Sequence, residues 1–201
     1  MMIEIALAAL LAQDPKEEAL KPEKAEELFV QAYKDYLAQD LSGSTSIYEK
    51  ILKDFSKEPI GAIAAYNVAC NYGLSDDAAK ALEWLRKAVE AGYDNADHLD
   101  GDSDLEAARE LEGYSKIVDK ARENAKAGRA PIKPEQVVKF AERLAAAAKN
   151  EDSEEKSALC SRLGWFSHKA TVDALNVELK KKGYQLVNQD GAWDLQRSED
   201  Y

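Results

Sequence analysis

AAYNVACNYGLSDDAAKALEWLRKAVEA (Ala64–Ala91) decides the fold. Its apolar residues recur at helical spacing in two runs, so the stretch reads as two successive helices. The small residues Ala65, Ala69, Ala81 and Ala88 let the two approach closely, while Tyr72 and Leu85 fill the space between them. An ordinary helical hairpin carries such a pattern. A helical repeat carries it at fixed positions.

Those positions are partly met. Ala65, Val68, Ala69 and Tyr72, followed by Ala81 and Leu85, take the spacing W-x2-L-G-x2-Y…A-x3-F of a repeat of about 34 residues. The segment therefore resembles a divergent tetratricopeptide repeat, with Ala65 in place of Trp and no closing Pro near Tyr93. Tyr48-Glu-Lys-Ile51-Leu52 matches Leu85-Arg-Lys-Ala88-Val89 in pattern at an offset of 37 residues, which suggests an earlier, weaker unit. GYDNADHLDGDSDLEAARELEGYSKIVDKARE, from Gly92 onward, is similar to the segment that closes such arrays. It carries Gly92-Tyr93, Asp97-His98-Leu99, Asp102-x-Asp104-Leu105 and a last helix after Gly113-Tyr114, but has Gly101 and Ser103 where Thr and Pro are commoner. The resemblance covers about residues 60–127. It implies a short, capped array that presents a groove and carries no chemistry of its own.

Composition bounds what such a protein binds. The chain has 201 residues, 45% of them apolar, and a formal net charge of −11. Residues 131–201 hold 11 Lys/Arg and 12 Asp/Glu, leaving 16 and 26 in the first 130, so the acidity belongs to the repeat half. An acidic surface repels phosphate backbones and anionic lipid. Nucleic acid is an unfavourable partner, and a basic protein segment a favourable one. Cys70 and Cys160 are too few for a disulfide framework, and with His98 and His168 too scattered for a metal site. No cofactor is expected.

Residues 1–21 comprise an apolar start, Ile5–Ala12, and a charged linker bounded by Pro15 and Pro22. No Lys or Arg precedes the apolar run, and Glu4 stands where a signal peptide is positive. A cytoplasmic protein is the expectation, with export through a signal or its remnant as the alternative. No run approaches the length of a membrane span. Residues 22–130 form the helical array, an assembly short enough for self-association to bury an open end. The boundary lies in AKAGRAPIKP (125–134), rich in Pro and Gly.

Residues 131–201 read as three helices (135–149, 153–163 and 168–182) and a hairpin turning at Asp190-Gly191. Tyr184, Leu186, Trp193 and Leu195 share one face of that hairpin. The element order is loosely similar to winged helix-turn-helix domains. The fold class expected is thus mostly α, a short helical-hairpin array followed by a small α+β domain.

Several constellations invite chemistry. Asn67 and Asn71, one turn apart on the first helix of the hairpin, share a face and suit a peptide amide. By resemblance Asn67 falls where some peptide-binding members carry a groove Asn. Asp100-x-Asp102-x-Asp104 begins like a calcium loop, but Leu105 and Leu111 stand where that loop needs Gly and Glu, so a capped helix start is the better reading. Ser153-x-x-Lys156 and the pair Cys160, His168 lack the shelter that would activate a nucleophile. Lys169, Asn176 and Lys180 share a face of the third helix and would touch nucleic acid in the alternative reading, although Asp173 among them repels it. The function expected is a non-catalytic adaptor or scaffold docking a partner peptide or helix. The alternative is a regulator whose C-terminal domain contacts nucleic acid.

Overall fold

In the computed structural model, residues 19–128, 134–163, 169–189 and 192–198 are described. Four helices lead: α1 (Pro22–Leu37), α2 (Leu41–Phe55), α3 (Pro59–Leu74) and α4 (Ala78–Glu90). The connections between them, Ala38–Asp40, Ser56–Glu58 and Ser75–Asp77, are three residues each, short enough to make neighbours antiparallel. Pro22 and Pro59 both open a helix in its first turn, where the missing N–H has no intrahelical partner to lose. They lie 37 residues apart, as do the helix starts Leu41 and Ala78. The two hairpins thus repeat with the period that the side-chain pattern indicated.

One turn design recurs. Gln39 and Asp76 sit at φ of 62° and 58°. The next residue, Asp40 or Asp77, donates its N–H five residues back, to Asp35 O or Tyr72 O, at 2.9 Å in each case, the left-handed ending that satisfies orphan carbonyls. That same Asp then caps the following helix, accepting from Gly43 N at 2.9 Å or Lys80 N at 3.1 Å. The turn appears a third time in the C-terminal unit, with Glu151 at φ 58° and Asp152 as the cap. The connection before α3 uses another device: a Cβ on Gly61 would fall 2.0 Å from Phe55 O, so only glycine admits that approach.

α3 is the central helix. Every residue from Ile60 to Asn71 is buried except Asn67, so a helix apolar nearly all round is walled in by its neighbours. Ala69, Ala81 and Leu85 are each fully buried, as close helix packing requires. Ala69→Leu and Ala81→Leu are each expected to overpack this seam and cost about 1–3 kcal/mol. Thermal midpoints equal to wild type in both variants would contradict it.

After Gly92 (φ 103°) come α5 (Ala96–Gly101), a 3-10 turn (Ser103–Leu105), the short α6 (Glu106–Arg109) and α7 (Tyr114–Ala127). Asn124 Nδ2 donates to Val89 O and Tyr93 O, at 2.7 and 2.8 Å. The Tyr114 hydroxyl donates to Leu99 O at 2.5 Å. The Asn124 bonds fasten the segment onto the end of α4, and the Tyr114 bond ties α7 to α5 within it.

The C-terminal unit holds α8 (Pro134–Lys149), α9 (Ser153–Leu163), α10 (Lys169–Lys180) and two antiparallel strands, β1 (Tyr184–Gln189) and β2 (Ala192–Arg197). Leu186 faces Leu195 across the pair. Both are buried, with Tyr184 and Trp193 packed against the same core, as the alternation implied. The turn residues Asp190 and Gly191 lie outside the described residues. The protein is therefore mostly α with a small two-stranded sheet at its C-terminal end.

The described residues form two cores. The first joins Phe29, Tyr48, Ile51, Ile63, Leu85, Leu99 and Ile117. The second joins Phe140, Leu144, Leu159, Leu175 and Leu179 to the sheet, and also takes in Val30 of α1. α1 thus serves both cores, Phe29 turned to one and Val30 to the other. Lys34–Asp152 at 3.7 Å and Lys139–Glu23 at 3.0 Å cross the same junction.

Candidate functional site

Where the two units meet, a cleft of about 590 Å³ opens, within the range of ligand sites. α1 contributes Tyr33 and Tyr36, α2 Tyr48, and α3 Ile63, Tyr66, Asn67 and Cys70. The closing segment adds Tyr93, His98, Asp102 and Asp104. From the C-terminal unit come Lys156, Cys160, Trp193 and Asp194. Five of the chain's nine tyrosines are here.

The inner end is held by the turn after α5. Asp102 caps the 3-10 turn, its Oδ1 accepting from Asp104 N at 3.0 Å, while Arg109 Nη1 donates to Asp102 O at 2.6 Å. With the backbone fixed, both carboxylates point at helices of the array. The Tyr36 hydroxyl donates to Asp104 Oδ2 at 2.8 Å. Tyr66 donates to Asp102 Oδ2, and the Cys70 thiol reaches the same oxygen at 3.6 Å. Gly73 makes this approach feasible, because a Cβ there would meet Asp104 O at 2.0 Å. The Tyr66 ring stacks on Tyr93, with centroids 4.6 Å apart, and lies 5.4 Å from His98.

Burial sets the electrostatics. It pushes Asp104 above its ordinary carboxylate value, a rise opposed by the hydrogen bond from Tyr36. Burial likewise raises the hydroxyls of Tyr36, Tyr48 and Tyr66, and the thiol of Cys70 well above its usual range, with the Asp102 charge adding to the last. Cys160 is pushed up to about 11, again chiefly by burial. Both thiols stay protonated at neutral pH and are poor nucleophiles.

Cys70, Asp102 and Asp104 bring one potential metal-ligand atom each within 4.8 Å of one another. The fit to a metal is poor. The group offers three donor atoms where a closed structural site takes four, and the thiol, raised well above its ordinary range by burial, would have to lose its proton to bind. The calcium-like triplet does not converge either: Asp100 turns to Arg122 at 3.2 Å.

The residues expected to bind fare differently. Asn67 lines the cleft, half-buried, and donates to the Tyr48 hydroxyl at 2.9 Å. Asn71 does not line it. It is 1% exposed, and its amide nitrogen donates to Ser44 and Thr45 hydroxyls at 2.9 and 3.1 Å. Its role is to tie α3 to α2, and it is withdrawn as a groove contact. On α10, Asn176 Oδ1 accepts from Leu186 N at 2.8 Å, so that oxygen pins helix to strand. Lys180 is exposed, and the side chain of Lys169 lies outside the described residues. Lys156 is engaged by Asp194 at 3.2 Å, which removes the Ser153–Lys156 reading. His168 lies outside the described residues.

Sequence reading missed the tyrosines and the two carboxylates as a site. Tyr33, Tyr36 and Tyr48 occupy apolar helix positions, and Asp102 and Asp104 read as a helix start. One signal was available: a buried tyrosine hydroxyl needs a partner, and five tyrosines in an alanine-rich array imply acceptors nearby. No helix among the described residues is long and apolar enough to cross a membrane. Comparison of the chain with family models, with curated proteins and with solved structures finds no match.

Proposed function

We propose that this protein is a non-catalytic docking module that binds an extended, basic segment of a partner protein in the cleft between its helical hairpins and its C-terminal unit. The observation that carries the reading is the cleft itself: aromatic walls leading to two part-buried carboxylates, each accepting a hydrogen bond from a tyrosine hydroxyl. Aromatic walls supply contact area at low entropic cost, and the acid end supplies charge selection. Chemistry is disfavoured by the state of the cysteines and by the engagement of Lys156. The resemblance of residues 60–127 to a capped helical-repeat array agrees with a binding role. No specific observation favours the nucleic-acid alternative.

A peptide-display screen against the immobilised full-length chain tests this. Enriched sequences are expected to carry basic residues and to lose retention on Asp102→Asn/Asp104→Asn. A library that yields no enrichment, or enrichment indifferent to both substitutions, would overturn the reading.

A further inference from the structure

The inner end of the cleft has the makings of a receptor for one particular side chain, an inference that rests on the docking reading above. Three carboxylates line the cleft: Asp102, Asp104 and Asp194. Among the described lining residues the only permanently charged cation is Lys156, and it belongs to Asp194 on the opposite wall. His98 Nε2 stands 4.0 Å from Asp102 Oδ2 and Arg109 donates to the Asp102 backbone oxygen, but among the described lining residues no lysine or arginine side chain pairs with either carboxylate. A tyrosine hydroxyl donates a hydrogen bond to a carboxylate but brings no charge, and an ionised carboxylate has about four acceptor sites. Asp102 accepts from Tyr66, the Cys70 thiol and Asp104 N and Asp104 from Tyr36, so by that count each still has room for an outside donor. The Asp102 side chain is only 14% exposed, so a cation reaching it must shed water.

Two cationic side chains meet the charge requirement, and desolvation separates them. A guanidinium is more weakly hydrated than an ammonium, offers five donors in a plane, and stacks on aromatic faces. Tyr33 and Tyr36, half-buried and stacked with centroids 5.7 Å apart, lie on the α1 wall, and Trp193 stands on the strand side. One carboxylate oxygen of Asp102 and one of Asp104 lie within 4.8 Å of one another, a separation that N–H groups diverging from one guanidinium can span.

We propose that the cleft takes an arginine side chain of the partner segment, its guanidinium bridging Asp102 and Asp104 after passing between the aromatic walls. The ring faces exclude water and the two carboxylates divide the donors. Lysine is disfavoured because its compact, strongly hydrated ammonium gains little from the walls.

The test uses the full chain and three tripeptide amides, acetyl-Gly-Arg-Gly, acetyl-Gly-Lys-Gly and acetyl-Gly-citrulline-Gly, titrated while the Trp193 indole N–H is followed by NMR. A Trp193→Phe sample assigns that signal. The arginine peptide is expected to bind at least tenfold more tightly than the lysine peptide. The citrulline peptide, which keeps the shape and loses the charge, is expected not to bind. Asp102→Asn should weaken the arginine peptide at least tenfold. Asp104→Asn serves as a second variant should the first melt, and Lys180→Ala should leave binding unchanged. Equal affinity for the lysine peptide overturns the guanidinium assignment and leaves the basic-segment reading standing. Equal affinity for the citrulline peptide overturns the charge argument in both. A screen that enriches basic peptides by a route insensitive to Asp102 and Asp104 removes the site itself.

Discussion

Gly73→Ala is expected to lower the thermal midpoint and disable the acidic end of the cleft in one step. The added methyl would sit 2.0 Å from the backbone oxygen of Asp104 and 3.1 Å from its carbonyl carbon. Backbone cannot rotate aside as a side chain can, so the turn at residues 102–105 must move away from α3. Both carboxylates ride on that turn, and their bonds to Tyr36 and Tyr66 go with it. Overpacking of this kind costs about 1–3 kcal/mol, or about 2–4 °C per kcal/mol in a chain of this size. Gly101→Ala is the matched control. A Cβ there meets nothing within 4 Å, and the midpoint should hold or rise slightly. Thermal melts of the two variants, with arginine-peptide titrations, check the pair. Equal midpoints would mean that α3 and the turn do not touch as described.

The second large effect is expected from Val30→Asp. Val30 is 6% exposed and belongs to the core of the C-terminal unit although it sits on α1. A carboxylate there is buried without a designed partner, at an effective cost of several kcal/mol. The array's own core, through Phe29 and Ala32 on the same helix, is left intact. The substitution should therefore weaken the junction before it unfolds either unit. A single cooperative melt is expected to become two transitions, and limited proteolysis should cleave the variant faster than wild type. Leu37→Asp, at a position already 46% exposed, should change neither. One unshifted transition in the Val30 variant would show that the units do not depend on α1 for their attachment.

Local patterns were legible without coordinates because they report on short-range physics. The two helices within Ala64–Ala91, the capped start near Asp102 and the face shared by Leu186 and Leu195 each depend on a few neighbouring residues. The period between the hairpins was visible for a related reason: repeated units repeat their spacing. The position of Asn67 on an open face followed from the same helical count, but that count could not separate it from Asn71. Both lie on one side of α3. α2 then packs over Asn71, and only contact across elements determines which amide is covered.

The cleft is the larger case. Tyr36, Tyr66, the Asp102–Asp104 turn and Trp193 come from four separate parts of the fold, and no window of sequence holds more than two of these residues near each other. Sequence alone settled the helical class, the hairpin period, the acidity of the first half and the strand pair, since periodicity, composition and turn chemistry act within a few residues. The packing of α1 against both cores, the approach of the 102–105 turn to α3 over Gly73, and the carboxylates set against tyrosines are non-local. They depend on which distant surfaces bury one another, and that choice exists only once the chain has folded.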